Sequence, residues 1–222
     1  MAAQNVDTPR DGAVRDDAAQ RAAYWPVPLV RAVPLAGLAL CVTFSADHST
    51  AFGLTVFGVF GIVSGLAIGV VSWIRLGSSG VRPYLVAQGA ITVAAGVLSL
   101  LLMHGGVAAL FLVLTVFAAI TGFLELYLGL RTRRRFVAST DWLAVGVLTV
   151  IAAVVFLLIP PGYSESFEGA ERVSGMIDSS IIVVGLLGAY AAIVAVYLLI
   201  AAFSAKWGTQ RGAIAAESER AA

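Results

Sequence analysis

Six apolar runs alternate with short polar breaks along this 222-residue chain. They cover about residues 27–46, 51–73, 84–103, 107–130, 142–159 and 180–203. Each is close to the roughly 20 residues that a helix needs to cross about 30 Å of hydrocarbon. The pattern therefore predicts an all-α, polytopic membrane bundle of six transmembrane helices. Only Ser45–Thr50 separates the first two runs, and only His104–Gly106 separates the third and fourth. Those lengths leave room for tight helical hairpins and nothing more. The connections Arg75–Pro83, Arg131–Asp141 and Pro160–Ser179 are polar.

Capping residues mark the boundaries. Ser49 and Thr50 precede the second helix, Thr140 and Asp141 the fifth, and Asp178 to Ser180 the sixth. Such side chains accept hydrogen bonds from the orphaned N–H groups at a helix start. Pro83 suits a first helical turn, and Pro160-Pro161 stops the fifth helix. Residues 1–23 are polar, of mixed charge and rich in Ala and Asp, and are expected to form a disordered cytoplasmic tail. The six-helix domain is expected over 24–206 and a second cytoplasmic tail over 207–222. The first apolar run is too long for a signal-peptide core.

Composition agrees with this layout. The chain is 59% hydrophobic and 12% charged, against about a quarter charged in soluble domains; its mean hydropathy is +0.93. The net charge of +1 is uninformative, but the distribution of charge sets an orientation. Arg10, Arg15, Arg21, Arg75, Arg82, Arg131, Arg133, Arg134, Arg135, Lys206, Arg211 and Arg220 fall on one side of six spans, and Arg172 on the other. The positive-inside rule makes the basic side cytoplasmic, so the expected location is the inner cell membrane with both termini inside. Asp47, His48, His104, Glu165, Glu168, Glu171 and Asp178 fall on the outer side. Trp25, Trp73, Trp142 and Trp207 all lie at basic-side helix ends, where headgroups favour amphipathic rings. The run Arg131, Arg133, Arg134, Arg135 suits anionic lipid headgroups. The single cysteine, Cys41, excludes an intramolecular disulfide and is expected to pack as a small apolar residue.

An internal repeat organises the spans. "LVRAVPLAGLAL" from Leu29, "LVAQGAITVAAG" from Leu85 and "LAVGVLTVIAAV" from Leu143 align so that Arg31, Gln88 and Val145 stand 57 positions apart in turn. "FGIVSG" (Phe60–Gly65) and "FAAITG" (Phe117–Gly122) keep that offset. "YAAIVA" (Tyr190–Ala195) matches once the outer loop has gained 16 residues. The chain thus reads as three hairpin copies, about 24–75, 83–131 and 141–206, related about the membrane normal. Three hairpins, each with a small-residue first helix and a second helix of the form F-G/A-x-x-S/T-G followed by Arg, resemble the HdeD-like family of six-helix bacterial membrane proteins. The resemblance covers about 24–206. Arg31 falls where that family often has an Arg-Gly step, but Ala32 follows here; Gln88-Gly89 and Val145-Gly146 keep the Gly without the Arg. The resemblance implies a non-enzymatic protein associated with acid or envelope stress.

Small residues predict how the helices pack, because close approach and polar contacts drive association in lipid. Gly58, Gly61, Gly65, Gly69 and Ser72 share one face of the second helix. Gln88, Thr92, Ala95 and Ser99 share one face of the third, and Thr115, Ala118, Gly122, Glu125 and Gly129 one face of the fourth. These stripes are expected to face one another, as packing seams or as the lining of a polar cavity. The GxxxG spacing also suits a homo-oligomer or a membrane-protein partner.

Glu125 is the one acid well inside a span, about 9 Å from the basic helix end, and Arg31 lies at a similar depth of about 6 Å. An ionisable residue at such depth is costly. The two are expected either to pair structurally or to place Glu125 in a proton- or substrate-linked role. His48 and His104 occupy the two tight outer turns, as solvated turn residues or as sensors of external acid. The loop 160–179 reads as a spacer or a partner-binding segment. No phosphate-binding loop, nucleophile elbow or metal motif is present. No catalytic residue, metal, cofactor or nucleic-acid partner is therefore expected. The alternatives to a stress protein are a small transporter or channel subunit with Glu125 as its coupling site, and an accessory subunit of a larger membrane complex.

Overall fold

A computed structural model describes residues 9–168 and 174–221 of the chain. It contains α1 (Pro9–Tyr24), α2 (Pro26–Phe44), α3 (Thr50–Arg75), α4 (Arg82–Leu101), α5 (Gly106–Arg131), α6 (Ser139–Leu158), β1 (Ser164–Glu168), β2 (Ser174–Asp178) and α7 (Ser179–Ala221). Six helical segments are long and apolar enough to span a membrane: Asp17–Phe44, Thr50–Arg75, Arg82–Leu101, Gly106–Arg131, Ser139–Leu158 and Ser179–Gly208. Their outward faces carry large apolar side chains, among them Val33, Val63, Leu66, Phe123, Ile151 and Ile193. Such a belt suits hydrocarbon rather than water, and the chain is a multi-pass membrane protein.

The helices pack around a centre in two tiers. The second helix of each hairpin (α3, α5, α7) approaches the other two across the middle, and α2, α4 and α6 fill the gaps between them. The tightest seams are α3·α4 and α5·α6, between helices connected at the basic side, and α2·α7, between the first and last spans, rather than those within the hairpins. Glycine explains the first two. A Cβ on Gly61 would lie 2.7 Å from Gly96 Cα, and one on Gly65 would lie 2.6 Å from the Gly89 carbonyl oxygen. On α5·α6, a Cβ on Gly122 or Gly129 would stand 3.0 or 2.9 Å from a backbone nitrogen of α6. The glycines of the stripes therefore form pairwise seams, while Gln88, Thr92 and Glu125, the polar members on α4 and α5, meet in the interior. Gly58, Gly61 and Gly65 face α4, whereas Gly122 and Gly129 face α6, because each glycine face admits one backbone at contact distance. Gly69 differs from the rest of its stripe: a Cβ there would meet nothing.

Several boundaries depart from the sequence reading. Residues 9–23, expected to be disordered, are helical with Tyr24 in α1, which suits the alanines at 13, 18, 19, 22 and 23. The helix is held by tertiary contacts: Gln20 Oε1 accepts the Val137 N–H at 3.3 Å, and the Ala22 carbonyl accepts from Arg75 at 3.3 Å. At the other end, α7 runs on to Ala221 through the expected tail. Helix α6 begins at Ser139 behind Ala138, with no side-chain cap, so Thr140 and Asp141 lie inside it. Loop 160–179 contains an antiparallel pair with Ser164 opposite Asp178 and Glu168 opposite Ser174. Glu171 and Arg172 lie outside the described residues. Trp142 is 1% exposed, edge-on to Tyr24 and stacked on Phe136, so it is a core residue and not a headgroup anchor. Cys41 is exposed on the outward face of α2.

The remaining caps follow expectation. Ser49 Oγ accepts the Phe52 N–H at 3.2 Å. Asp178 Oδ1 accepts from the Ser180 hydroxyl at 2.6 Å and the Ile181 N–H at 3.0 Å, and these bonds hold its carboxyl below the usual range. A folded-state value below the unfolded one gives stability that is present above about pH 4 and lost as pH falls through the folded value. Asp178→Ala is therefore expected to cost about 1 kcal/mol at pH 7 and progressively less in acid. Thermal unfolding in micelles at several pH values measures this, and a pH-independent cost contradicts it.

Candidate functional site

Arg31 enters the bundle from α2, in the turn between Pro28 and Pro34. Pro34 has no N–H to donate back up the helix, so the chain next to the arginine is locally under-bonded. Gln88 lies one turn after Pro83 on α4, and Glu125 lies on the inward face of α5. Arg31 Nη2 and Gln88 Nε2 both donate to Glu125 Oε1, and Arg31–Glu125 is also an ion pair. One carboxylate oxygen thus ties three helices together. The three residues are 6%, 4% and 2% exposed, so water screens the interaction little.

This cluster borders a cavity of about 50 Å³ to which all six spanning helices contribute. A water needs about 10–15 Å³ of such space, so the cavity holds one to a few waters. Arg31 Nη1 and Glu125 Oε2 are buried there without a protein partner. Thr92, Thr121 and Thr149 bond back to the carbonyls of Gln88, Phe117 and Val145, which leaves their oxygens as acceptors facing the space. Thr149 also shares a 2.6 Å hydrogen bond with the Tyr190 hydroxyl. Residues that the sequence reading set in register come together here. Leu35, Thr92 and Thr149 line the cavity together, as do Phe60, Phe117 and Tyr190, and Ser64, Thr121 and Val194.

Apolar clusters lie on both sides of the chamber. Toward the His-bearing turns, Phe57 packs on Phe117 at 5.1 Å, with Leu54, Leu110 and Leu114 beyond. Toward the basic end stand Tyr24, Val27, Leu85, Leu128 and Trp142. An ion pair between such layers is desolvated. Its attraction offsets the desolvation only while both charges and their hydrogen bonds are in place.

The expected Arg31–Glu125 pair is therefore present. Gln88 was expected on a packing seam, and its place as the third member was missed; the available signal was its 57-position offset from Arg31. The histidines do not meet. His48 is half-buried with its ring 6.5 Å from Phe52, in an open cleft that also holds Asp47 and Asp178, while His104 is exposed on the α4–α5 turn. The backbone N–H of Ser49 on Asp47 holds that carboxyl below its ordinary range. Arg131 donates to the Tyr127 hydroxyl at 2.7 Å and lies over the Tyr84 ring, whereas Arg133, Arg134 and Arg135 are exposed. Compared with known proteins, the chain matches no family model, no curated protein and no solved structure.

Proposed function

We propose that this chain is a non-enzymatic protein of the inner cell membrane, HdeD-like in type, that serves the response to acid or envelope stress. Its six spans are read as three parallel hairpins with both termini cytoplasmic. The gathering of basic residues at one end and the matched positions around the chamber support that layout. Arg133, Arg134 and Arg135 then face the anionic headgroups of the cytoplasmic leaflet.

The observation that carries the functional reading is the clamped chamber. Its carboxylate is held by two donors from two other helices, between two apolar layers, and this suits a structural or interaction role better than conduction. The Glu125 carboxylate joins α2 and α4 to α5, so a variant that lacks its charge tests the clamp. A strain lacking the protein is expected to lose survival at low external pH. Wild type restores it, and a stably folded Glu125→Gln variant does not. Normal acid survival of the deletion strain removes the stress reading, and full rescue by Glu125→Gln removes the role of the clamp.

A second reading, a small transporter with Glu125 as coupling site, is favoured by one observation. Arg31 Nη1 and Glu125 Oε2, in two residues that line the cavity, have no hydrogen-bond partner among the described residues. Solute or proton flux through reconstituted vesicles that stops in Glu125→Gln would favour transport over the clamp.

A further inference from the structure

A second concavity lies at the basic end, where α6 and α7 diverge. Of the three hairpin partnerships, α6·α7 is the loosest. The opening is about 230 Å³ and is bordered by Arg21 and Tyr24 of α1, Asp141 of α6, and Tyr197, Ile200 and Ser204 of α7. Two polar groups there point to a ligand.

Arg21 and Asp141 border the same cleft with opposite charges but form no ion pair with each other. The Arg21 guanidinium instead lies along Gly208, at 3.4 Å from where a Cβ would be. Asp141 accepts one hydrogen bond, from the Tyr197 hydroxyl to Oδ1 at 3.2 Å, so its second oxygen is open. Tyr24, 1% exposed, borders the cleft with its hydroxyl buried beside Trp142, so the polar groups open to a ligand are those of Arg21 and Asp141.

The surroundings identify the ligand's setting. Ile200 is 61% exposed and borders the cleft, and Ile193 and Val196 continue an exposed apolar face along α7. Trp25, under the Lys206 ammonium at 5.1 Å, and the exposed Trp207 mark the headgroup level nearby. The cleft thus opens sideways, toward lipid, at the depth where a phosphate and an amine would lie.

We propose that this cleft binds a lipid whose headgroup carries a primary ammonium and a phosphodiester, of the phosphatidylethanolamine kind. The ammonium donates to Asp141, the phosphate accepts from Arg21, and the acyl chains lie along the apolar face of α7. A zwitterion neutralises both unpaired charges at once, which neither an anionic lipid nor a cation does. A choline headgroup has no N–H to give Asp141 and binds more weakly.

The test uses the full chain, purified and delipidated in detergent, with bound lipid counted by native mass spectrometry. The probes are dioleoyl phosphatidylethanolamine, dioleoyl phosphatidylcholine, dioleoyl phosphatidylglycerol and free phosphoethanolamine. Wild type is expected to hold one phosphatidylethanolamine about tenfold more tightly than either other lipid. Asp141→Asn is expected to remove the preference over phosphatidylcholine, and Arg21→Gln to weaken both of these lipids alike. Circular dichroism checks that each variant folds, and if Asp141→Asn does not, Arg21→Gln carries the test by weakening both lipids. Equal retention of ethanolamine and choline lipids by wild type overturns the proposal. So does a preference that survives Asp141→Asn, or binding of both lipids that Arg21→Gln leaves unweakened where it stands in. Displacement of the lipid by an equal concentration of free phosphoethanolamine makes the site one for a soluble headgroup and overturns the lipid assignment.

Discussion

Glu125→Leu, made while Arg31 remains, is expected to lower the unfolding free energy by about 3–5 kcal/mol. The substitution removes the acceptor of two hydrogen bonds and leaves a guanidinium buried between apolar layers with no counterion. The neighbouring threonine and tyrosine oxygens line the cavity but carry no charge to replace the carboxylate. Glu125→Gln keeps the shape and one acceptor, so its cost is expected to be smaller. Denaturant titration in mixed micelles, followed by circular dichroism, gives both values. Equal stability of wild type and Glu125→Leu would mean that Arg31 reaches the headgroups once released.

Gly61→Leu is expected to destabilise by about 3 kcal/mol, the upper end of the overpacking range. The added Cβ would meet Gly96 Cα at 2.7 Å and the Thr92 carbonyl oxygen at 2.9 Å. Both obstacles are backbone, so no rotamer change relieves the clash, and α3 must move away from α4. Ser99, whose hydroxyl bonds the Leu54 carbonyl across that seam at 2.7 Å, would lose its partner as the helices part. Gly69→Ala is the control. It lies two turns further along the same face, where a Cβ meets nothing, and better helix propensity makes it neutral or mildly stabilising. Similar losses in both variants would show that glycine matters for helix flexibility rather than for the seam.

The spans were legible because hydrocarbon thickness imposes a length on each apolar run, and two of the three hairpins had no spare residues in their turns. The pairing of Arg31 with Glu125 was legible from depth alone, since two opposite charges at one level inside a membrane have few other partners. Gln88 was not, because a glutamine on a small-residue face reads the same whether it supports packing or binds a carboxylate. Chain connectivity suggests that hairpin partners pack most closely, whereas Gly61, Gly65, Gly89 and Gly96 bring together helices of successive hairpins. Trp142 has the position of an interfacial tryptophan, and only the ring of Tyr24 arriving from α1 makes it a core residue. Helix α1 itself was hidden by its charges, since its stability comes from docking on α7 and on the basic-side turns rather than from an apolar stripe.

The most direct measurement is a double-mutant cycle on Arg31 and Glu125, with Arg31→Leu, Glu125→Leu and the double variant unfolded under the same conditions. If one carboxylate clamps the bundle through this arginine, each single variant leaves a buried polar group stranded, while the double variant strands neither charge. The double variant is then expected to be at least as stable as Glu125→Leu alone, with a coupling in the upper part of the roughly 0.5–3 kcal/mol range for residues in contact. Two losses that simply add would contradict the buried clamp and place the two side chains in separate environments.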